Sequence, residues 1–260
     1  LQNSIMPLGI SFYTFGQIAY ALENYKYNSH KKYGVVDYVL SIAFFAKFLQ
    51  GPITYHNELI PQFQNRDKYR FSYENFSQGL YALGIGLIKK VLVADNFAKI
   101  VNYGYGHIST LSSFEAVLSV IAYSLQLYFD FSGYCDMAIG IAKMFNINLP
   151  VNFNSPYKAK NISEFWKCWH MTLTRFLTKY VYIPLGGNRK GVFLTYVNIM
   201  IVFLVSGLWH GTGFTFVVWG IMHGVASVLY RMFKGRFDKL PDLVQWLLTF
   251  VYVNMAWGVF

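Results

Sequence analysis

Two strongly apolar stretches, residues 193 to 209 and 213 to 232, are separated only by His210, Gly211 and Thr212. A helix needs about 20 predominantly apolar residues to cross roughly 30 Å of hydrocarbon, and both stretches approach that length. Further apolar runs lie at 6 to 24, 35 to 50, 75 to 94, 113 to 145, 162 to 183 and 243 to 260. The pattern predicts an all-α fold, a polytopic membrane bundle of about eight helical elements. Several runs are short for a full crossing, so some are expected to be tilted or re-entrant. Gln50-Gly51-Pro52 supports re-entry, because Gly-Pro ends a helix and exposes backbone that must be buried in protein or line a cavity.

Composition agrees with a lipid solvent. Hydrophobic residues make up 55% of the 260 positions and charged residues 13%, with mean hydropathy +0.32, outside the usual soluble range. Basic residues cluster at Lys26 with Lys31 and Lys32, Arg66 to Arg70, Lys89 and Lys90, Lys158 and Lys160, Arg189 and Lys190, and Arg231 to Lys239. Loops obeying the positive-inside rule explain the net charge of +10 better than nucleic-acid binding does, since no soluble fold presents the charge. The clusters cannot all share one side if every run crosses fully, which again favours re-entrant segments. Cys135 and Cys168 both lie in apolar runs, so neither a disulfide framework nor a metal site is expected. With no internal repeat and no linker, the sequence reads as one domain over 1–260. Its start at Leu1 and its stop at Phe260, inside an apolar run, read as truncation at both ends.

Four stretches carry residues capable of chemistry. In Ser206-Gly207-Leu208-Trp209-His210-Gly211, an ionisable ring falls at membrane depth, where such groups usually face a cavity, a partner or a pathway. Burial favours the uncharged imidazole, the form a general base requires, and flanking glycines allow close approach of a substrate. A buried histidine bonding a neighbouring helix is the plainer alternative. Residues 161 to 177 read as a capped amphipathic helix, with Asn161 as cap and Glu164 in the first turn. Its buried stripe holds Trp166, His170, Leu173 and Leu177, where a structural histidine beside tryptophans fits as well as a functional one. Asp130 and Asp136 fall in an apolar run six residues apart and so point in different directions. Each is expected to orient a histidine or cap a helix. Tyr182 to Gly191 forms a glycine-rich basic loop whose amides and cations suit phosphate, or equally a turn on anionic lipid.

These strings together resemble the membrane-bound O-acyltransferase family, in the branch of the alginate and peptidoglycan O-acetylation membrane subunits. Teichoic acid D-alanyl transferases are more distant. The resemblance is carried, in order, by Met6 to Phe15, Gln50-Gly51-Pro52, Phe129 to Tyr134, Asn152-Phe153-Asn154-Ser155-Pro156-Tyr157, Glu164-Phe165-Trp166 with Trp169-His170, Tyr182 to Gly191, and Ser206 to Gly211. It implies a multi-pass bundle in the cytoplasmic (inner) membrane, thinned around a central tunnel. It also implies His210 as the catalytic histidine and His170 as the second important one. Asp130, Asp136, Trp209, Trp169 and Asn154 are expected as supporting residues. Two places depart from the family pattern: Cys168 replaces a basic residue before the second tryptophan, and Thr178-Lys179 replaces an Arg-Asp pair.

The reaction so implied is transfer of an acetyl group from a cytoplasmic thioester, acetyl-CoA by analogy, to a hydroxyl of a cell-surface polysaccharide. Transfer is direct or passes through a separate extracytoplasmic transferase. No permanently bound cofactor and no nucleic acid is called for; membrane lipid, donor and acceptor are the expected partners. Lys158, Arg175, Lys179, Arg189 and Lys190 are candidates for the CoA phosphates. The rival reading is a transporter or lipid-linked sugar flippase whose histidines line a path and do no acyl chemistry. Inverted repeats would favour that rival, and the sequence carries none.

Overall fold

A computed structural model describes residues 9–27 and 33–260. Met6 to Leu8 of the first family string, with Lys31 and Lys32, lie outside the described residues. All regular structure among the described residues is helical. The helices are α1 (Ile10–Tyr27), α2 (Val35–Ala43), α3 (His56–Gln64), α4 (Tyr73–Leu87), α5 (Asp95–Gly106), α6 (Ser113–Met144), α7 (Ile162–Cys168), α8 (Met171–Leu177), α9 (Val192–His210), α10 (Phe214–Phe237) and α11 (Asp242–Trp257). A π-wound segment, Ile88–Ala94, joins α4 to α5 into one continuous run. Among the described residues, four stretches are long and apolar enough to cross a membrane: Tyr73–Gly106, Ser113–Met144, Val192–His210 and Phe214–Phe237. The chain is thus an all-α membrane bundle.

It divides into two compact units, residues 1–93 with 129–151, and 94–128 with 152–260. The first is organised by α4 against the C-terminal half of α6. Gly79 and Gly86, seven residues apart and so on one helix face, meet Gly140 and Gly133 on the antiparallel partner. A Cβ at Gly79 would lie 2.5 Å from the Gly140 carbonyl oxygen, and one at Gly86 2.6 Å from that of Gly133. The backbones therefore touch at both levels, as small residues allow in a membrane, where apolar burial does not drive helix association. Beyond the seam, Lys89 pairs with Asp136 and Lys90 with Asp130, each at 2.5 Å. α6 stops at Asn146, whose left-handed backbone (φ 60) lets the Ile147 amide bond back to the Ala142 carbonyl. The Asn146 side chain is held by Asn75 and by the carbonyls of Lys68 and Arg70.

The second unit is built on the α9–α10 hairpin and an aromatic core. Gly207 faces the Phe216 carbonyl and Gly220 the Phe203 carbonyl, so close that an added Cβ would come within 2.3 and 2.6 Å. Against this hairpin pack Phe165, Trp169, Trp219, Val253 and Trp257, the heart of the buried cluster.

The structure corrects several boundaries. The run 113 to 145 is α6 almost residue for residue, and 193 to 209 is α9. The run 35 to 50 is helical only to Ala43, and turns carry it from residue 45 to 50. Helix α3 went unread, because Pro61 inside a short polar segment conceals a helix that a Tyr55–Glu58 capping box starts. The expected amphipathic helix across 161 to 177 is broken between Cys168 and Met171. Its predicted start is correct: the Glu164 amide bonds the Asn161 side chain at 2.9 Å. The break has a tertiary cause, described next.

Candidate active site

The break between α7 and α8 exists because the extended segment 152 to 154 docks into it. The Asn154 amide donates to the Cys168 carbonyl, and the Met171 amide to the Asn152 carbonyl, both at 2.9 Å. These bonds take up groups that a continuous helix would pair internally. His170 stands at the break with φ 43, a left-handed conformation uncommon outside glycine. Its ring is buried, 3% exposed, and its Nδ1 lies 3.1 Å from Asn152 Oδ1. The same oxygen accepts from the Thr172 amide at 3.1 Å and from the Thr172 hydroxyl at 2.8 Å.

His210 arrives from the other side, as the last residue of α9. Its ring is partly exposed, and no hydrogen bond holds it among the described residues. Aromatic rings hold it instead: Trp209, Phe260 and Trp219 have centroids 4.6, 4.9 and 5.2 Å away. Trp209 also approaches His170, at 6.3 Å.

The two histidines line one cavity of about 60 Å³ with Trp166, Trp169, Leu173, Thr174, Leu177, Thr178, Val202, Phe203 and Ser206. A cavity of about 670 Å³ adjoins it and shares Trp166, Thr174, Thr178, Val202 and Phe203. Lys167, Arg231 and Lys234 bring cations to the larger space, with hydroxyls from Ser163, Ser227, Tyr182 and Tyr230. Among the described residues neither lining includes a carboxylate, but Asp238 pairs with the lining Lys234, which leaves Lys167 and Arg231 to suit the larger cavity to an anionic ligand.

The sequence-predicted residues divide accordingly. His170, His210 and Trp169 share the small cavity's wall, with the Trp209 ring in edge contact with both histidines. Asn154 is exposed and contributes only its backbone amide; the residue that holds His170 is Asn152, within the same string. Asp130 and Asp136 lie inside α6, in the other compact unit, and pair with Lys90 and Lys89. Lys158, Arg189 and Lys190 are exposed, while Arg175 and Lys179 are partly buried, the latter 5.2 Å over the Tyr180 ring. None of these five lines either cavity, whereas Lys167, Arg231 and Lys234 do. Sequence reading missed those three because their relevance depends on where α7 and α10 converge. The loop at 182 to 191 is no amide cradle at Leu185, Gly186, Gly187 or Arg189, whose amides already donate to carbonyls of Val181, Ile183, Tyr182 and Gly186.

The chain is 44% identical to the peptidoglycan O-acetyltransferase of Helicobacter pylori, covering 98% of this chain and 54% of that protein. It is 38% identical to the "Probable alginate O-acetylase AlgI" of Pseudomonas putida, over 100% of this chain and 53% of that protein. Identity to the teichoic acid D-alanyltransferase of Bacillus subtilis is 26%, over 99% and 69% respectively. The chain spans about half the length of the first two relatives. The profile of the membrane-bound O-acyltransferase family matches residues 18–258, and on that match the chain belongs to the membrane-bound O-acyltransferase family.

Proposed function

We propose that this chain carries the reaction centre of an O-acetyltransferase of the cytoplasmic membrane, which passes an acetyl group from a cytoplasmic thioester such as acetyl-CoA to a hydroxyl of a cell-surface polysaccharide. The acceptor is the polymer itself or an extracytoplasmic partner transferase that completes the transfer. The observation carrying this reading is the convergence of His170 and His210 on one small cavity adjoining a large chamber with a basic lining. The relatives' names, a peptidoglycan O-acetyltransferase and an alginate O-acetylase, favour acetyl among acyl groups and polysaccharide among acceptors.

The chemistry follows from the two cavities. The large chamber takes the donor, with Lys167, Arg231 and Lys234 near its phosphates. The small cavity takes the acyl end. Its 60 Å³ admits about four water-sized groups, room for a two-carbon acyl group and little more. His210 removes the proton of the incoming hydroxyl as its oxygen attacks the thioester carbonyl carbon. The tetrahedral intermediate expels the thiolate, breaking C–S as the ester C–O forms, and His210 returns the proton to sulfur. The thioester is already activated, so a positioned base and exclusion of bulk water supply the acceleration.

The test replaces His210 with Ala, verifies membrane abundance, and measures both O-acetyl content of the surface polysaccharide and thioester consumption by membranes. Loss of both supports the reading. Unchanged acetylation at normal abundance removes it, and a polymer that fails to reach the surface at all points to export.

A further inference from the structure

The hydrogen bonds around Asn152 decide which nitrogen of His170 carries hydrogen. The Thr172 backbone amide can only donate, so the atom it meets at 3.1 Å is the Asn152 oxygen, not its NH₂ nitrogen. The Thr172 hydroxyl donates to the same atom at 2.8 Å. Since that oxygen can only accept, His170 Nδ1 at 3.1 Å must be the donor and bear the hydrogen. No carboxylate lines the cavity that His170 faces, and the ring is 3% exposed, so nothing there favours an imidazolium. A neutral ring with hydrogen on Nδ1 has a bare Nε2.

We infer that Asn152 is a positioning residue that locks His170 in the Nδ1–H tautomer and so presents Nε2 to the small cavity as an acceptor. The inference rests on the proposed acyl transfer and sharpens it. A bare Nε2 cannot donate to a thioester carbonyl, so His170 does not polarise the electrophile. It accepts instead from a proton-bearing group in the cavity, an N–H of His210, whose other nitrogen is left to take the hydroxyl proton. The left-handed backbone at position 170 belongs to the same device, because it holds the ring at the break where segment 152 to 154 docks.

The experiment labels the protein's histidines with ¹⁵N and reads the ring nitrogens by NMR, assigning His170 by its absence in His170→Asn. That replacement tolerates a left-handed backbone and offers an amide donor near the Nδ1 position. The expected spectrum has a hydrogen-bearing Nδ1 and a bare Nε2, and Asn152→Leu converts it to the reverse form or a mixture. Acetyl transfer by Asn152→Leu is expected to fall about ten- to a hundredfold in kcat with KM little changed, while Asn152→Asp, which keeps the accepting oxygen, recovers part of it. His210→Ala tests that pairing: a shift at His170 Nε2 supports the His210 N–H as its partner, and no shift removes His210 from that role. A hydrogen-bearing Nε2 in the unaltered protein overturns the inference, as does an Asn152→Leu protein with unchanged tautomer and turnover. The expected spectrum in a protein that transfers no acyl group from any thioester would sink the proposed function and leave the tautomer assignment standing.

Discussion

His170 and His210 reach the same cavity by opposite means. His170 is fixed by hydrogen bonds at a broken helix, on a residue with unusual backbone geometry, and is almost fully buried. His210 ends an ordinary helix, is partly exposed and is held by ring contacts alone. The contrast suits a division of labour. A ring whose hydrogen is already committed sets the electrostatics of the site, while one with neither nitrogen committed to the protein can exchange a proton with substrate.

Removing the partner held by ring contacts has the largest expected effect. His210→Ala should lower acetyl transfer by about 10²- to 10⁴-fold, the usual worth of a positioned acid–base group, with little change in abundance because no hydrogen bond is lost. Equal losses of stability and activity would place His210 in the same structural class as His170 and erase the contrast.

The acyl wall comes next. Leu177, 6% exposed, lines the small cavity and not the large one. Leu177→Ala should raise the rate with butyryl-CoA relative to acetyl-CoA about tenfold, within the range that one or a few methylenes command in an apolar pocket. An unchanged ratio, measured with both thioesters on the same membranes, would show that the acyl group is held elsewhere.

The α9–α10 seam supports only one of the two histidines directly, so disturbing it should separate them. Gly207→Ala puts a carbon 2.3 Å from the Phe216 carbonyl and should cost about 1–3 kcal/mol in thermal unfolding. The His210 ring environment should change more than that of His170 in the same ¹⁵N spectrum. Equal disturbance of both would mean that the rings move as one body.

The smallest effect is expected far from this contrast. The Lys90 and Asp130 side chains are 42% and 40% exposed, so Lys90→Met should cost under about 1 kcal/mol and leave acetyl transfer intact. A large loss of transfer would show that the Lys90–Asp130 pair serves the reaction and not only the packing of its own unit.

Much of this was legible in residue order. α6 and α9 were bounded within about two residues, because a long apolar run between polar clusters has one solution in lipid. His210 stood out as an ionisable ring between two such runs. His170 was found, but its surroundings were misread: helical periodicity across 161 to 177 placed it on a continuous stripe, whereas Asn152 and the backbone of segment 152 to 154 open the helix there. Asn154 was singled out where Asn152 holds His170, for a related reason: two asparagines two apart in an extended segment would share a face, and only the docking of that segment buries one and leaves the other exposed. The basic residues expected at the donor line neither cavity, because charge clustering locates loops and not the walls of a cavity.

What the residues determined alone was the solvent, the helical class and the presence of two histidines in apolar surroundings, since each follows from local hydrophobicity and the cost of unpaired backbone in hydrocarbon. What only tertiary structure decided was which groups share a cavity and which nitrogen of His170 bears hydrogen. Those depend on contacts between residues 18 to 40 positions apart, such as Asn152 with His170 and His170 with the cavity of His210. No local pattern encodes such contacts, because they form only once the aromatic core has brought the segments together.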